Sequence, residues 1–203
     1  SRVIPGHERE LTAYHEAGHA VVMHELPNHD PVSQISIVPR GQTGGMTISL
    51  PEEDRSYLSK RYMEDQIVAL LGGRVAEKLV LGDISTGASN DIQRASQIAH
   101  KMVAVYGMSD KIGTVSFESG HDEVFIGRTM SQGRSYSEQV AAEIDEEVKA
   151  VVGRAYARCE EILSANRDNL KTVAEYLLHH ETMGREAFLA VFGETVPPER
   201  AEK

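Results

Sequence analysis

A chain of 203 residues with 21 Lys+Arg, 31 Asp+Glu and 40% hydrophobic content has the profile of one globular domain, able to bury roughly 70% of its unfolded-chain surface. Its single cysteine, Cys159, excludes an internal disulfide framework and any multi-cysteine zinc site, and is compatible with a reducing compartment. The net charge of −10 disfavours a nucleic-acid partner, which calls for clustered Lys and Arg.

No secretory pattern opens the sequence. Its longest apolar run, residues 67–71, is far below the roughly 18 needed to span a bilayer. A soluble piece without direct membrane insertion is therefore expected. It begins at Ser1 rather than methionine, which suggests a fragment of a longer protein.

Residues 1–9 form a linker punctuated by Pro5–Gly6. Helical spacing of Leu11, Ala13, Tyr14, Ala17, Ala20, Val21 and Met23 predicts a helix over 8–26, stopped by Pro27. Residues 35–39 alternate, with Ile35 and Ile37 inward. After a glycine-rich turn at 41–45, residues 46–50 make a second strand. Two strands alone are marginal, so a third strand or a covering helix is required.

A helix is predicted over 57–80, interrupted at Gly72–Gly73 by a weak point or a close helix contact. Residues 82–89 are a loop and 90–106 a helix. Residues 113–117 and 124–128 read as a β-hairpin. The stretch 135–164 carries Val140, Ile144, Val148, Val151, Ala155, Cys159 and Ile162 at three- and four-residue intervals, a narrow seam that packs within the subunit or on a neighbour. Shorter helices follow at 169–178 and 185–192, then a loose tail. The fold class is mainly α with a small β element. The domain spans 10–193, including C-terminal helices at 135–193, and 194–203 form a flexible tail. No phosphate-binding glycine loop is present.

One motif carries chemistry: His15-Glu16-Ala17-Gly18-His19. On a helix, i and i+4 share a face about 6 Å apart, so both imidazoles can converge on one ion. Zinc accepts neutral imidazole nitrogens and leaves positions for a third ligand and water. Glu16, roughly 100° around the helix, can act as general base. For this composition about 0.04 chance matches are expected, which favours a metal site over two structural histidines. Gly18 costs about 1 kcal/mol in helix propensity, suggesting that something approaches the helix closely there.

A third ligand must come from elsewhere. Position 25, where a third histidine would extend the motif, is Glu25, and His24 lies about 140° round the helix. The candidates are Glu77 and Asp91. Each has a plain alternative reading, Glu77 as a solvated helix residue and Asp91 as an acid in a helix's first turn. Spacing leaves them near even. The pair His179–His180 reads as a helix C-terminal cation site. Gly45, Met46, Thr47 and Ile48 are candidates for an edge strand that captures an extended substrate, with an ordinary interior strand equally open.

Taken in order, His15-Glu16-Ala17-Gly18-His19, Ser36-Ile37-Val38-Pro39-Arg40-Gly41, Gly72-Gly73-Arg74-Val75-Ala76-Glu77, Ser85-Thr86-Gly87-Ala88-Ser89-Asn90-Asp91-Ile92 and Val124-Phe125-Ile126-Gly127-Arg128 resemble the peptidase domain of FtsH-type ATP-dependent zinc metalloproteases. The likeness runs from about Glu10 to Phe192. It implies a helical, zincin-like peptidase fold with one Zn2+ per subunit, Asp91 as third zinc ligand and Glu77 structural or behind a ligand. It also implies an endopeptidase acting on unfolded or membrane proteins, a homo-hexamer, and a place on the cytoplasmic face of the cell membrane. ATP would enter only through an ATPase domain that this chain lacks. Two rivals remain: a ring-assembly module with a structural zinc, and a metal-free adaptor.

Overall fold

A computed structural model describes residues 6–40, 44–51, 55–118 and 136–198. Helix α1 (Gly6–Glu25) carries an unbroken buried run from Ala13 to Val22, so it is enclosed on all sides rather than on one face. Small residues make this possible: Ala13, Ala17 and Ala20 are all fully buried, letting neighbours come close on several sides.

Strands β1 (Val32–Ser36) and β2 (Met46–Ser49) pair antiparallel. The third strand required for stability is β3 (Thr182–Gly184), which joins the free side of β1 to give the order β2-β1-β3. Ile35 sits opposite both Thr47 and Met183. Ile35 and Ile37 both face inward, although the strand itself ends at Ser36.

Helix α2 (Lys60–Ala76) begins at its cap Ser59, whose side chain accepts the Tyr62 N–H. The expected start at 57 falls before this cap, and Tyr57 is 91% exposed. Gly72 and Gly73 do not break the helix. They form the close contact: a side chain on Gly18 would strike the Gly72 carbonyl and the Ala76 methyl, and one on Gly73 would strike the His15 ring. The helix then widens into a π turn (Glu77–Leu81), closed by Gly82 at φ 69°.

A 3-10 turn (Thr86–Ala88) leads into α3 (Ser89–Ala104). Then come α4 (Glu138–Ala165), α5 (Arg167–His180) and α6 (Arg185–Val191). The α4 seam packs within the subunit, against α2 and α3, burying Ile144, Ala155, Cys159 and Leu163. Buried Asp65 on α2 ties the same helix through Arg158, at 2.8 Å.

Of the expected β-hairpin, only the first strand falls within the described residues, and it is not formed. Residues 113–117 join no strand, and the Phe117 N–H bonds the Ala104 carbonyl at the end of α3. Phe117 and Ile112 pack there against Val103, Ala104 and Ile144, while Val115 is left 47% exposed. Its expected partner strand, 124–128, lies outside the described residues. No helix among the described residues is long and apolar enough to cross a membrane.

Candidate metal centre

His15 and His19 stand one turn apart on α1, both buried. Their Nε2 atoms are 3.1 Å apart, and the rings meet edge to face. Each ring is held from behind. His19 Nδ1 lies 2.7 Å from the Ala69 carbonyl, and His15 Nδ1 lies 2.8 Å from Glu77 Oε2. A carbonyl and a carboxylate only accept, so each neutral ring keeps its proton on Nδ1 and aims the Nε2 lone pair into the gap.

Asp91, in the first turn of α3, closes the gap. Its Oδ2 lies 3.3 Å from His15 Nε2 and 3.1 Å from His19 Nε2. Three acceptors thus converge, an arrangement that repels itself unless a cation sits among them. Tetrahedral zinc with bonds of about 2.0–2.1 Å sets its ligand atoms about 3.3 Å apart, so this donor set fits zinc in both chemistry and spacing.

Proton affinities carry the same signature. Burial works against a charged His15, yet its bonds to the Asp91 and Glu77 carboxylates and the nearby charge of Glu16 push its pKa up to about 9. Burial also opposes charge on Asp91, and the two histidines override it, holding its carboxyl well below the usual carboxylate range. Without metal, a proton on His15 supplies the positive charge that the carboxylates demand.

Glu77 is fully buried. Its Oε1 accepts the Ser85 N–H at 3.1 Å and the Ser85 hydroxyl at 2.5 Å. Burial again opposes ionisation, and the His15 and Ser85 hydrogen bonds win, lowering its pKa. The two candidates that spacing left even are thereby separated in space, Asp91 at the Nε2 side of the rings and Glu77 behind His15.

A cleft of about 790 Å³ opens over the three donors. Glu16, buried, forms part of its wall and receives the Thr47 hydroxyl on Oε2 at 2.7 Å. Strand β2 lies at the outer edge of the sheet. Gly45, Met46 and Thr47 line the cleft, whereas Ile48 does not and is 39% exposed. His24 stacks on Phe192 and meets Glu194, away from the donors. His179 and His180 end α5 and are exposed.

Sequence reasoning missed three participants. The Ala69 carbonyl leaves no trace in a sequence, because a main-chain acceptor is present at every position. Ser85 stands in the sequence as one residue of a loop motif, with nothing that ties it to Glu77. Thr47 reads in the sequence as a substrate-strand residue, and its link to Glu16 becomes visible only with the strand register.

The model of peptidase family M41 matches residues 2–191 of the chain. Among curated relatives, ATP-dependent zinc metalloprotease FtsH 2 of Alkaliphilus metalliredigens is 56% identical over 97% of this chain and 29% of its own length. The FtsH proteins of Caldicellulosiruptor bescii and Bacillus subtilis, both also named ATP-dependent zinc metalloprotease, are 52% and 45% identical, each over 98% of this chain and 32% of its own length. The chain thus spans about a third of the length of the curated relatives it matches.

Proposed function

The chain belongs to peptidase family M41, and from that membership we propose that it is a zinc-dependent endopeptidase, the proteolytic part of a longer ATP-dependent protease. One observation carries the reading: three lone-pair donors meet at a single point beside a buried carboxylate, on the wall of an open cleft.

In this reading His15, His19 and Asp91 hold the ion, with Glu77 and the Ala69 carbonyl fixing the imidazoles from behind. When bound, zinc supplies Lewis-acid chemistry, polarising a scissile carbonyl and letting water give up a proton near neutral pH. Glu16 takes that proton as water attacks the carbonyl carbon, and passes it to the leaving amine as the C–N bond breaks. The outer edge of β2 at Met46, Thr47 and Ile48, with Gly45 leading into it, offers main-chain donors and acceptors to an extended peptide, giving grip with little dependence on side chains.

A structural zinc would call for a fourth protein donor. Among the described residues three converge, and both oxygens of the nearby Glu77 are engaged elsewhere. This favours catalysis over the ring-assembly reading.

The relatives' names support an ATPase part in the longer protein. The resemblance of the motifs supports unfolded or membrane proteins as substrates, a homo-hexamer, and residence on the cytoplasmic face of the cell membrane. It also supports a peptidase unit at 10–193, flanked by a linker and a tail. Metal analysis tests the core of the reading. One zinc per chain is expected in the wild type and none in Asp91→Ala; a zinc-free wild type purified without chelators would overturn it.

A further inference from the structure

We propose that Thr47 is the positioning residue for the general base, its hydroxyl locking the Glu16 carboxylate so that one oxygen is parked and the other is presented to the cleft. The inference rests on the peptidase reading above and extends it to a residue that the reading assigns only to the substrate edge.

The geometry is specific. Thr47 Oγ1 lies 2.7 Å from Glu16 Oε2 and 3.1 Å from the Glu16 main-chain carbonyl. A hydroxyl has one proton, and the shorter, charged partner takes it. Oε1 accepts no hydrogen bond from the described residues and is left for water. The Glu16 side chain is boxed in at its Cγ as well. A side chain on Gly45 would stand 3.0 Å from Glu16 Cγ and from Thr12 Cγ2, and 2.7 Å from the Ser36 carbonyl. The methylene of Glu16 therefore packs against bare main chain.

The contacts come from Thr47 in β2 and from Gly45 just before it, and Thr47 is anchored by pairing with the fully buried Ile35 of β1. The consequence is mechanical. The strand that offers its edge to a peptide also aims the base, so substrate register and base orientation share one rigid element. A reacting group displaced by about 1 Å can cost on the order of 100-fold in rate, which makes one hydroxyl on such a strand worth having.

Two variants of this chain test the idea, each at equal zinc content with an unfolded protein substrate. Thr47→Val keeps the shape and removes the hydroxyl; Thr47→Ser keeps the hydroxyl and removes the methyl. Thr47→Val is expected to lower kcat about ten- to hundred-fold with KM within about threefold of wild type, and Thr47→Ser to stay within about threefold in both. A crystal structure of Thr47→Val is expected to show the Glu16 carboxylate turned from its wild-type position.

Wild-type kcat in Thr47→Val, or Thr47→Ser as slow as Thr47→Val, would overturn the proposal. An effect confined to KM would do the same, assigning Thr47 to substrate binding alone. Should the zinc-loaded wild type cleave nothing, that result bears on the peptidase reading and not on Thr47, and the Glu16 conformation in the Thr47→Val crystal still decides whether Thr47 positions it.

Discussion

Which atom of a histidine a carboxylate touches separates two acids of the same chemistry. Asp91 meets both Nε2 atoms, where a metal would be shared, and Glu77 meets His15 Nδ1, where it can only orient the ring. The expected outcome is that Glu77→Ala still binds zinc, about 10- to 100-fold more weakly, as measured by competition with a chelator, while Asp91→Ala does not bind it. The reverse pattern would transfer the ligand role to Glu77. His15, Glu16 and His19 were legible in the sequence because their spacing lies within one helix, where geometry follows from numbering alone. Which acid joins the two histidines was not, since 62 residues separate His15 from Glu77 and 76 separate it from Asp91, and only the crossing of α2 and the entry angle of α3 decide which acid arrives. The family resemblance singled out Asp91; spacing could not.

Between elements, the contact of α1 with α2 controls the centre. Gly18 faces the Gly72 carbonyl, and Gly73 lies against the His15 ring. Gly18→Ala adds a methyl where there is no room, and the overpacking, about 1–3 kcal/mol, exceeds the roughly 1 kcal/mol gained in helix propensity. Gly153 in α4 is the control: it is exposed, and a side chain there meets nothing within 4 Å. Urea unfolding is expected to show Gly18→Ala less stable than wild type and Gly153→Ala more stable by up to about 1 kcal/mol. Gly18→Ala as stable as Gly153→Ala would deny the close crossing. The long helices were legible because each repeats its apolar positions over several turns. Strand β3 was not, having three residues and no room for alternation to register. The false hairpin strand at 113–117 did alternate, yet its Phe117 is taken up by the end of α3 rather than by a ladder. Short alternation says that a face is apolar and leaves open what covers it.

Across the molecule, two apolar clusters among the described residues share the load. The larger surrounds α1; the smaller gathers Val103, Ala104 and Ile144 near the entry to α4. Over the smaller one, Glu118 receives the Tyr136 hydroxyl at 2.6 Å and faces His100 Nε2 at 2.9 Å. Burial opposes its charge, but these two partners prevail and lower its pKa. A depressed carboxylate stabilises the fold above its unfolded value and loses that contribution as pH falls through the folded one. Glu118→Gln is therefore expected to melt below wild type at neutral pH, with the difference closing as pH falls below the usual carboxylate range; a constant gap would remove Glu118 from the account. At this scale the sequence was informative about class, mainly α with a small sheet, while how the helices stack had to come from the structure, because each seam could serve several partners. The central claim, a base beside a three-donor zinc site, is tested most directly by cleavage of a permanently unfolded protein. Zinc-loaded wild type and Glu16→Gln would be compared at equal zinc content. The account predicts cleavage by the wild type and a loss of at least about 100-fold in the variant, whose amide cannot accept the proton. Equal cleavage by the two would contradict it.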